Sequence, residues 1–371
     1  MEQNKKVLIS GASFAGLSTA YWMNRMGYKV TVVEIGNYLK MGGSPVNIEG
    51  NTVDIVKRMG IFEQIKANRL NMEMWEFKNE DDVTKSARIL KQPEEEPSDD
   101  EFEIERDLLL HILFDTVKND VEFIFGDSIT ALNETSDGVW VSFKNGQQQV
   151  FDMVFGCDGI HSVVRKLWFG QETEYLHFLG AYFSITIVNK LLIKQKTMQM
   201  YNVPDKLMML NAYNNKTDIV LSFRSETEIP YHYRDEKQQR KIISEQFAGQ
   251  GWRTKELLEE VQASETFYFD KFCQVKMPSW TKGRVALIGD AGYCASPAAG
   301  KGGSLAIDGA AALADALQHH NGAFELAFRD YNKDFRPFIT QVQADAKRML
   351  ESLILRTKEA IGKRNTEGFS F

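Results

Sequence analysis

The segment Gly11-Ala12-Ser13-Phe14-Ala15-Gly16 restricts this chain more than any other, because it stands between an apolar run and an amphipathic one. Lys6-Val7-Leu8-Ile9-Ser10 reads as a buried strand, and Tyr28-Lys29-Val30-Thr31-Val32-Val33-Glu34 as a second. Between them Leu17, Ala20, Tyr21, Met23 and Met26 recur at helical spacing up to a stop at Gly27. This is a βαβ unit whose turn suits a dinucleotide. A pyrophosphate needs a tight turn, close backbone approach and a helix N-terminus whose free N–H groups favour negative charge. Gly11 and Gly16 supply the turn and the close packing, and Glu34, about eighteen residues beyond, can accept both ribose hydroxyls. Ser13 departs from the pattern by placing a Cβ where the phosphate would approach.

Length and charge narrow the partners. At 371 residues and 43% hydrophobic content, the chain can bury a sizeable core and is expected to form two intertwined domains. A formal net charge of −7, spread rather than blocked, offers no basic face for nucleic acid, so a small-molecule substrate is expected. No stretch reaches the roughly 18 unbroken apolar residues of a membrane span, and the start Met1-Glu2-Gln3-Asn4-Lys5-Lys6 has no apolar signal core. A cytoplasmic monomer with no membrane partner is the expectation. Cys157, Cys273 and Cys294 have no metal-like spacing and fit a reducing compartment. His111, His161, His319 and His320 lack carboxylate or cysteine partners at ligand spacing, so core or surface roles are expected and no metal.

Along the chain, the polar stretch Pro93 to Asp100 reads as a solvated loop, followed by strands at Val121 to Phe125, Val139 to Phe143 and Met153 to Phe155. From about Gly180 to Phe269 the strands Ala181 to Val188, Leu207 to Leu210 and Ile219 to Phe223 alternate with turns, with one helix near Glu236 to Phe247. A strand then returns at Arg284-Val285-Ala286-Leu287-Ile288-Gly289-Asp290 and leads through glycines into an Ala-rich helix. Val342, Ala346, Met349, Leu350, Leu353, Ile354 and Ile361 line one face of a long final helix. The expected fold class is therefore α/β: a discontinuous Rossmann-type domain (1–178 and 270–335), an inserted, mostly antiparallel β-sheet substrate domain (179–269) and a C-terminal helix (336–371).

Two further motifs complete the set: Gly156-Cys157-Asp158-Gly159-Ile160-His161-Ser162-Val163-Val164-Arg165, directly after a strand, and Gly289-Asp290-Ala291-Gly292 continuing to Pro297-Ala298-Ala299-Gly300-Lys301-Gly302-Gly303-Ser304. Asp290 at a strand end can accept a ribityl hydroxyl. The Gly300 to Ser304 turn offers backbone donors at a second helix N-terminus. Together the three motifs resemble the group A flavoprotein monooxygenases, the fold of para-hydroxybenzoate hydroxylase, over essentially the whole chain. The resemblance implies noncovalent FAD spanning both halves, held by Gly11, Ser13, Gly16, Glu34, Lys40, Gly43, Arg106, Ile129, Asp158, Asp290, Pro297, Gly300, Gly302, Gly303 and Ser304. In it Asp158 and Gly159 are mostly structural, Arg106 starts a helix that reaches the cofactor, Ile129 flanks the adenine, and the loop Lys40 to Val46 lies beside the isoalloxazine.

The resemblance also implies the chemistry. NAD(P)H, binding transiently, reduces the flavin; O₂ adds at C4a, and the hydroperoxyflavin delivers one oxygen atom to an electron-rich phenol or enol. The cofactor carries the reaction, so no protein nucleophile or other catalytic side chain is required. The single Gly251-Trp252-Arg253 lacks the longer tryptophan-rich motif of flavin halogenases. Within the family, Gly180 to Thr186, Ser279 to Asp290 and the final helix look most like the tetracycline-inactivating monooxygenases. Tyr182, Ser184, Lys206, Met208 and Arg224 are then candidate substrate contacts, although strand register leaves their faces open. An FAD-dependent dehydrogenase or reductase, and a non-catalytic FAD sensor, would share every cofactor motif.

Overall fold

A computed structural model describes residues 5–90 and 100–367; the stretch Pro93 to Asp99 lies outside the described residues. Six strands form a central sheet in the order Thr281–Lys282, Val285–Leu287, Met153–Gly156, Lys6–Ser10, Lys29–Glu34 and Glu122–Phe125. All its pairings are parallel except the first. The strands are almost continuously apolar because helices cover the sheet: Val7, Leu8, Ile9, Val32, Val154, Phe155 and Ile288 are all buried. Phe14–Arg25 follows the first strand and packs against the Ala-rich helix Gly302–His319. It stops where Gly27, at φ +84°, takes a left-handed conformation that favours glycine.

The second large sheet has seven strands in the order Thr266–Val275, Leu176–Val188, Lys216–Arg224, Lys206–Tyr213, Thr197–Val203, Met74–Lys78 and Thr84–Ile89. Its pairings are antiparallel except for Thr197–Val203 against Met74–Lys78. Two of these strands come from residues 74–89, inside the range 1–178 expected for the first domain. Their apolar alternation is short and their partner lies over a hundred residues away, so nothing local announces the pairing.

One face of this sheet is closed by Glu236–Phe247 and by a second helix, Thr254–Ala263, absent from the sequence reading. Ile243, Phe247, Leu257 and Val261 from these helices pack on Tyr182, Met208, Leu210, Ile219, Leu221, Phe223 and Phe269. The opposite face carries Ala181, Phe183, Leu207 and Met200, with Ile185 and Met209 only partly covered. The chain's end is two helices rather than one. Phe324–Leu353 continues through Pro337, the chain turns at Ile354, and Lys358–Glu367 follows. No helix among the described residues is long and apolar enough to cross a membrane.

Candidate active site

The first turn is built as its spacing requires. Gly11 has φ +104°, and a Cβ there would lie 2.5 Å from the Cys157 carbonyl oxygen; one on Gly16 would lie 1.9 Å from the Gly11 oxygen. These glycines let the loops approach closely and leave the N-terminal turn of Phe14–Arg25 bare. Glu34 sits across from it. Its Oε2 accepts from Ala12 N at 2.8 Å and its Oε1 from Gly36 N at 2.9 Å, while Asp127 N donates to the Glu34 carbonyl. Ile129 is buried just beyond that contact, at the start of a separate three-stranded sheet.

Arg106 joins this turn to the loop that follows. Its guanidinium donates to Lys40 O (3.1 Å), Gly42 O (2.8 Å) and Ser13 Oγ (3.3 Å), and lies over the Phe14 ring. Its aliphatic stem fills the space a side chain at Gly43 would need. Asp107 Oδ1 takes the Gly42 N–H at 2.7 Å.

The third motif closes on the same place. Pro297 is exposed in a short turn, Gly300 is left-handed at φ +66°, and Gly302 and Gly303 open the eighteen-residue helix Gly302–His319. A Cβ at Gly303 would touch Val46 and Phe14, and Ser304 Oγ donates to Asn47 O at 2.7 Å. Two helix N-termini and the Lys40 to Val46 loop therefore meet at one recess. Asp290 faces solvent at its own surface, yet the surrounding protein raises its carboxyl pKa by desolvation.

Asp158 is placed otherwise. Its Oδ2 accepts from Val163 N and Val164 N, and its Oδ1 from the Ser162 hydroxyl, so it caps the helix Val163–Trp168, while a longer contact from Ser10 Oγ at 3.4 Å ties it to the strand end before Gly11. Arg165, to which the sequence reading gave no role, is buried and donates to Ala291 O (2.8 Å) and Ile160 O (2.5 Å). It ties the second motif to the third.

A chain that aligns over residues 4–346 with the sequence profile of the family described as "FAD binding domain" meets this geometry. The chain belongs to that FAD-binding family. A flavin-dependent monooxygenase of Legionella longbeachae is 35% identical over 373 residues, covering 99% of this chain and 94% of its own. The solved structure of tetracycline destructase Tet(51) is 34% identical, with a TM-score of 0.87 over 98% of this chain and 95% of its own. That of tetracycline destructase Tet(55) is 32% identical, with a TM-score of 0.86 over 99% and 96%. This family member is an FAD-dependent monooxygenase, and FAD is its cofactor. The recess fits that group: its glycines admit a backbone-close pyrophosphate, and Asp290 is an accessible acceptor.

The five candidate substrate contacts are not brought to the recess. Tyr182, Ser184 and Met208 are fully buried on the helix-covered face, where Tyr182 Oη accepts from Ile229 N at 2.7 Å. Lys206 stands on the same face, donating to Gln246 O and lying over the Phe247 ring. Arg224 is on the open face, but its guanidinium donates to Ile354 O (2.7 Å), Leu350 O (3.3 Å) and Glu351 (2.9 Å). It anchors the end of the long helix. The open face instead presents Phe183, Ile185, Met209, Val220 and Tyr268. Tyr268 Oη donates to Asp270 Oδ2 at 3.0 Å, and Lys40 Nζ lies over its ring.

His161 and His320 do have carboxylate partners, brought by the fold: His161 faces Glu172 and Asp270, and His320 faces Asp330 at 2.6 Å. Glu103 and Asp218 also escaped the sequence reading. Burial and the Asp218 charge push Glu103 up to about 7, and burial pushes Asp218 up to about 6. Spacing carries no signal for this pair, since they meet only across two sheets.

Proposed function

We propose that this monooxygenase uses NAD(P)H and O₂ to hydroxylate a planar, electron-rich phenol or enol, with a tetracycline as the leading candidate. The observation that carries the reading is the open sheet face. Ile185, Met209 and Val220 remain partly exposed beside the buried Phe183 in the middle of a seven-stranded sheet whose other side is sealed, opposite the loops that meet at the flavin recess. A flat apolar floor there suits a fused-ring substrate and keeps water from the reacting atoms. The 34% identity to a tetracycline destructase supports the bulky polyoxygenated choice.

The chain's own tasks follow from its residues. Glu34 accepts ribose hydroxyls, Gly11 and Gly16 with Arg106 hold the pyrophosphate approach open, and Asp290 accepts from the ribityl chain. Asp158 and Arg165 keep the loops in register. Tyr268, its proton directed to Asp270 and its pKa raised by burial, stays neutral and offers oxygen lone pairs to a substrate hydroxyl. When bound, FAD supplies electron transfer and oxygen activation.

The test is mass spectrometry of tetracycline incubated with the purified holoenzyme, NADPH or NADH and ¹⁸O₂. Substrate-stimulated NAD(P)H oxidation and a product that has gained one labelled oxygen atom are expected. Stimulated oxidation without labelled product across a panel of phenols and enols would transfer the reading to a flavin reductase.

A further inference from the structure

The apolar floor of the open sheet face changes character at one end. Asn211 and Asp218 stand directly opposite each other in the register of their strands, 5% and 0% exposed. Their sequence neighbours Leu210 and Ile219 belong to the helix-covered core, so alternation turns Asn211 and Asp218 to the open side. Asp218 Oδ1 accepts from Tyr213 Oη at 2.8 Å. Asp218 Oδ2 and Asn211 Oδ1 make no hydrogen bond, and the Ser44 hydroxyl, also unpaired, is a neutral donor near enough to Asp218 to lower its pKa. Buried polar groups left unpaired are costly, and these come from two strands and a loop that converge on one point.

The charge around them is negative. Glu103 lies beside Asp218, while Lys216, the cation nearest in influence, is ion-paired with Glu105. Burial is the main cause of the raised pKa values of Glu103 and Asp218, and the neighbouring carboxylates add to it. A neutral donor would satisfy one orphan oxygen and leave the negative charge; a protonated amine donates an N–H to one and sets its positive charge against both.

We infer that this end of the cleft is an ammonium subsite: Asp218 Oδ2 accepts an N–H bond from a protonated amino group on the substrate, whose positive charge also faces Asn211 Oδ1, opposite the floor that holds its rings. The subsite rests on the reading of the open face as the substrate cleft. It makes the preferred substrate an amine-bearing phenol or enol, and it makes Asp218 and Asn211 determinants of specificity that need not touch the reacting atoms.

The experiment titrates the FAD holoenzyme with tetracycline and with 4-dedimethylaminotetracycline, which lacks only the amine, following perturbation of the flavin spectrum at pH 7.5. Tetracycline should bind about tenfold or more tightly, and Asp218→Asn should erase that preference while FAD content and melting temperature hold. Asn211→Leu should weaken it. Equal binding of the two ligands to the unaltered enzyme overturns the subsite and leaves its acceptors to water. A preference that survives both substitutions overturns it as well. If neither tetracycline perturbs the flavin, the tetracycline reading fails by itself, and the subsite is decided by tyramine against 4-ethylphenol. Tighter binding of tyramine supports it; equal or absent binding of tyramine overturns it.

Discussion

His161 Nε2 lies 3.4 Å from Asp270 Oδ2 while its Nδ1 lies 3.2 Å from Glu172 Oε2, so one imidazole bridges the second motif and the last strand of the substrate sheet. Burial alone would lower its pKa, but the two carboxylates outweigh it and hold the ring's pKa up at about 9. The folded value is above the unfolded one, near 6.5. The bridge therefore contributes fully below about pH 6.5, and its contribution is lost as pH rises through about 9. Melting curves of the holoenzyme and His161→Gln from pH 6 to 10 should differ most at the acid end and converge at the alkaline end. A gap that stays constant with pH would show that the imidazolium is not the stabilising form.

Asp290→Ala should weaken FAD binding, because the recess loses its accessible acceptor and a ribityl hydroxyl is left poorly paired. The loss should be about 1–3 kcal/mol, roughly ten- to hundredfold in Kd. Flavin fluorescence on dilution measures it. Unaltered affinity in a folded protein would mean that the carboxylate serves the Cys294 side of the turn alone.

The first turn separates its two small residues. Gly16→Ala drives a Cβ to within 1.9 Å of the Gly11 carbonyl oxygen, a backbone atom that cannot move aside. It should yield protein that is unstable by about 1–3 kcal/mol or more and poor in FAD. Ser13→Gly forfeits only a 3.3 Å contact from Arg106, and its FAD content should match that of the unaltered protein. Absorbance at 450 nm against 280 nm reads both, and a fully loaded Gly16→Ala protein would refute the account of the turn.

Adjacent methionines report the two faces of the substrate sheet. Met208 is fully buried beneath the helices, so Met208→Ala should cost about 2–5 kcal/mol of stability with little effect on KM. Met209 is only partly covered on the open face, so Met209→Ala should spare the melting temperature and raise KM. The reverse pattern would turn the sheet over.

What could be read ahead of the structure was what local spacing encodes. The strand, turn and helix from Lys6 to Arg25 declare themselves by an unbroken apolar run that gives way to a 3.6-residue period across Gly11 and Gly16, and the same change marks Val285 to His319. The substrate face could not be read in this way. Ala181, Tyr182, Phe183 and Ser184 are all buried, so hydrophobic alternation gives no sign of which side opens. Lys206 and Arg224 looked like free cations because their partners, Gln246 and the turn after Leu350, lie far along the chain. Asp158 matched its motif, but only three-dimensional placement shows its oxygens turned to the backbone of the next helix.

The strand Met74–Lys78, parallel to Thr197–Val203, bears on how such enzymes can be recombined. A chimaera that takes residues 179–269 from a relative would splice a foreign edge onto resident residues 74–89, and the register Thr197 with Met74 through Met200 with Phe77 would have to match by chance. Phe77 is wholly buried at that seam, so a mismatch would reach the floor of the cleft as well as the rim of the sheet. The portable unit is thus three stretches of chain: 74–89, 176–275 and the Leu350 to Ile354 turn that Arg224 grips. Specificity in this scaffold is inherited as a set, and grafts that respect the seam are the ones that should keep a flavin and accept a new substrate.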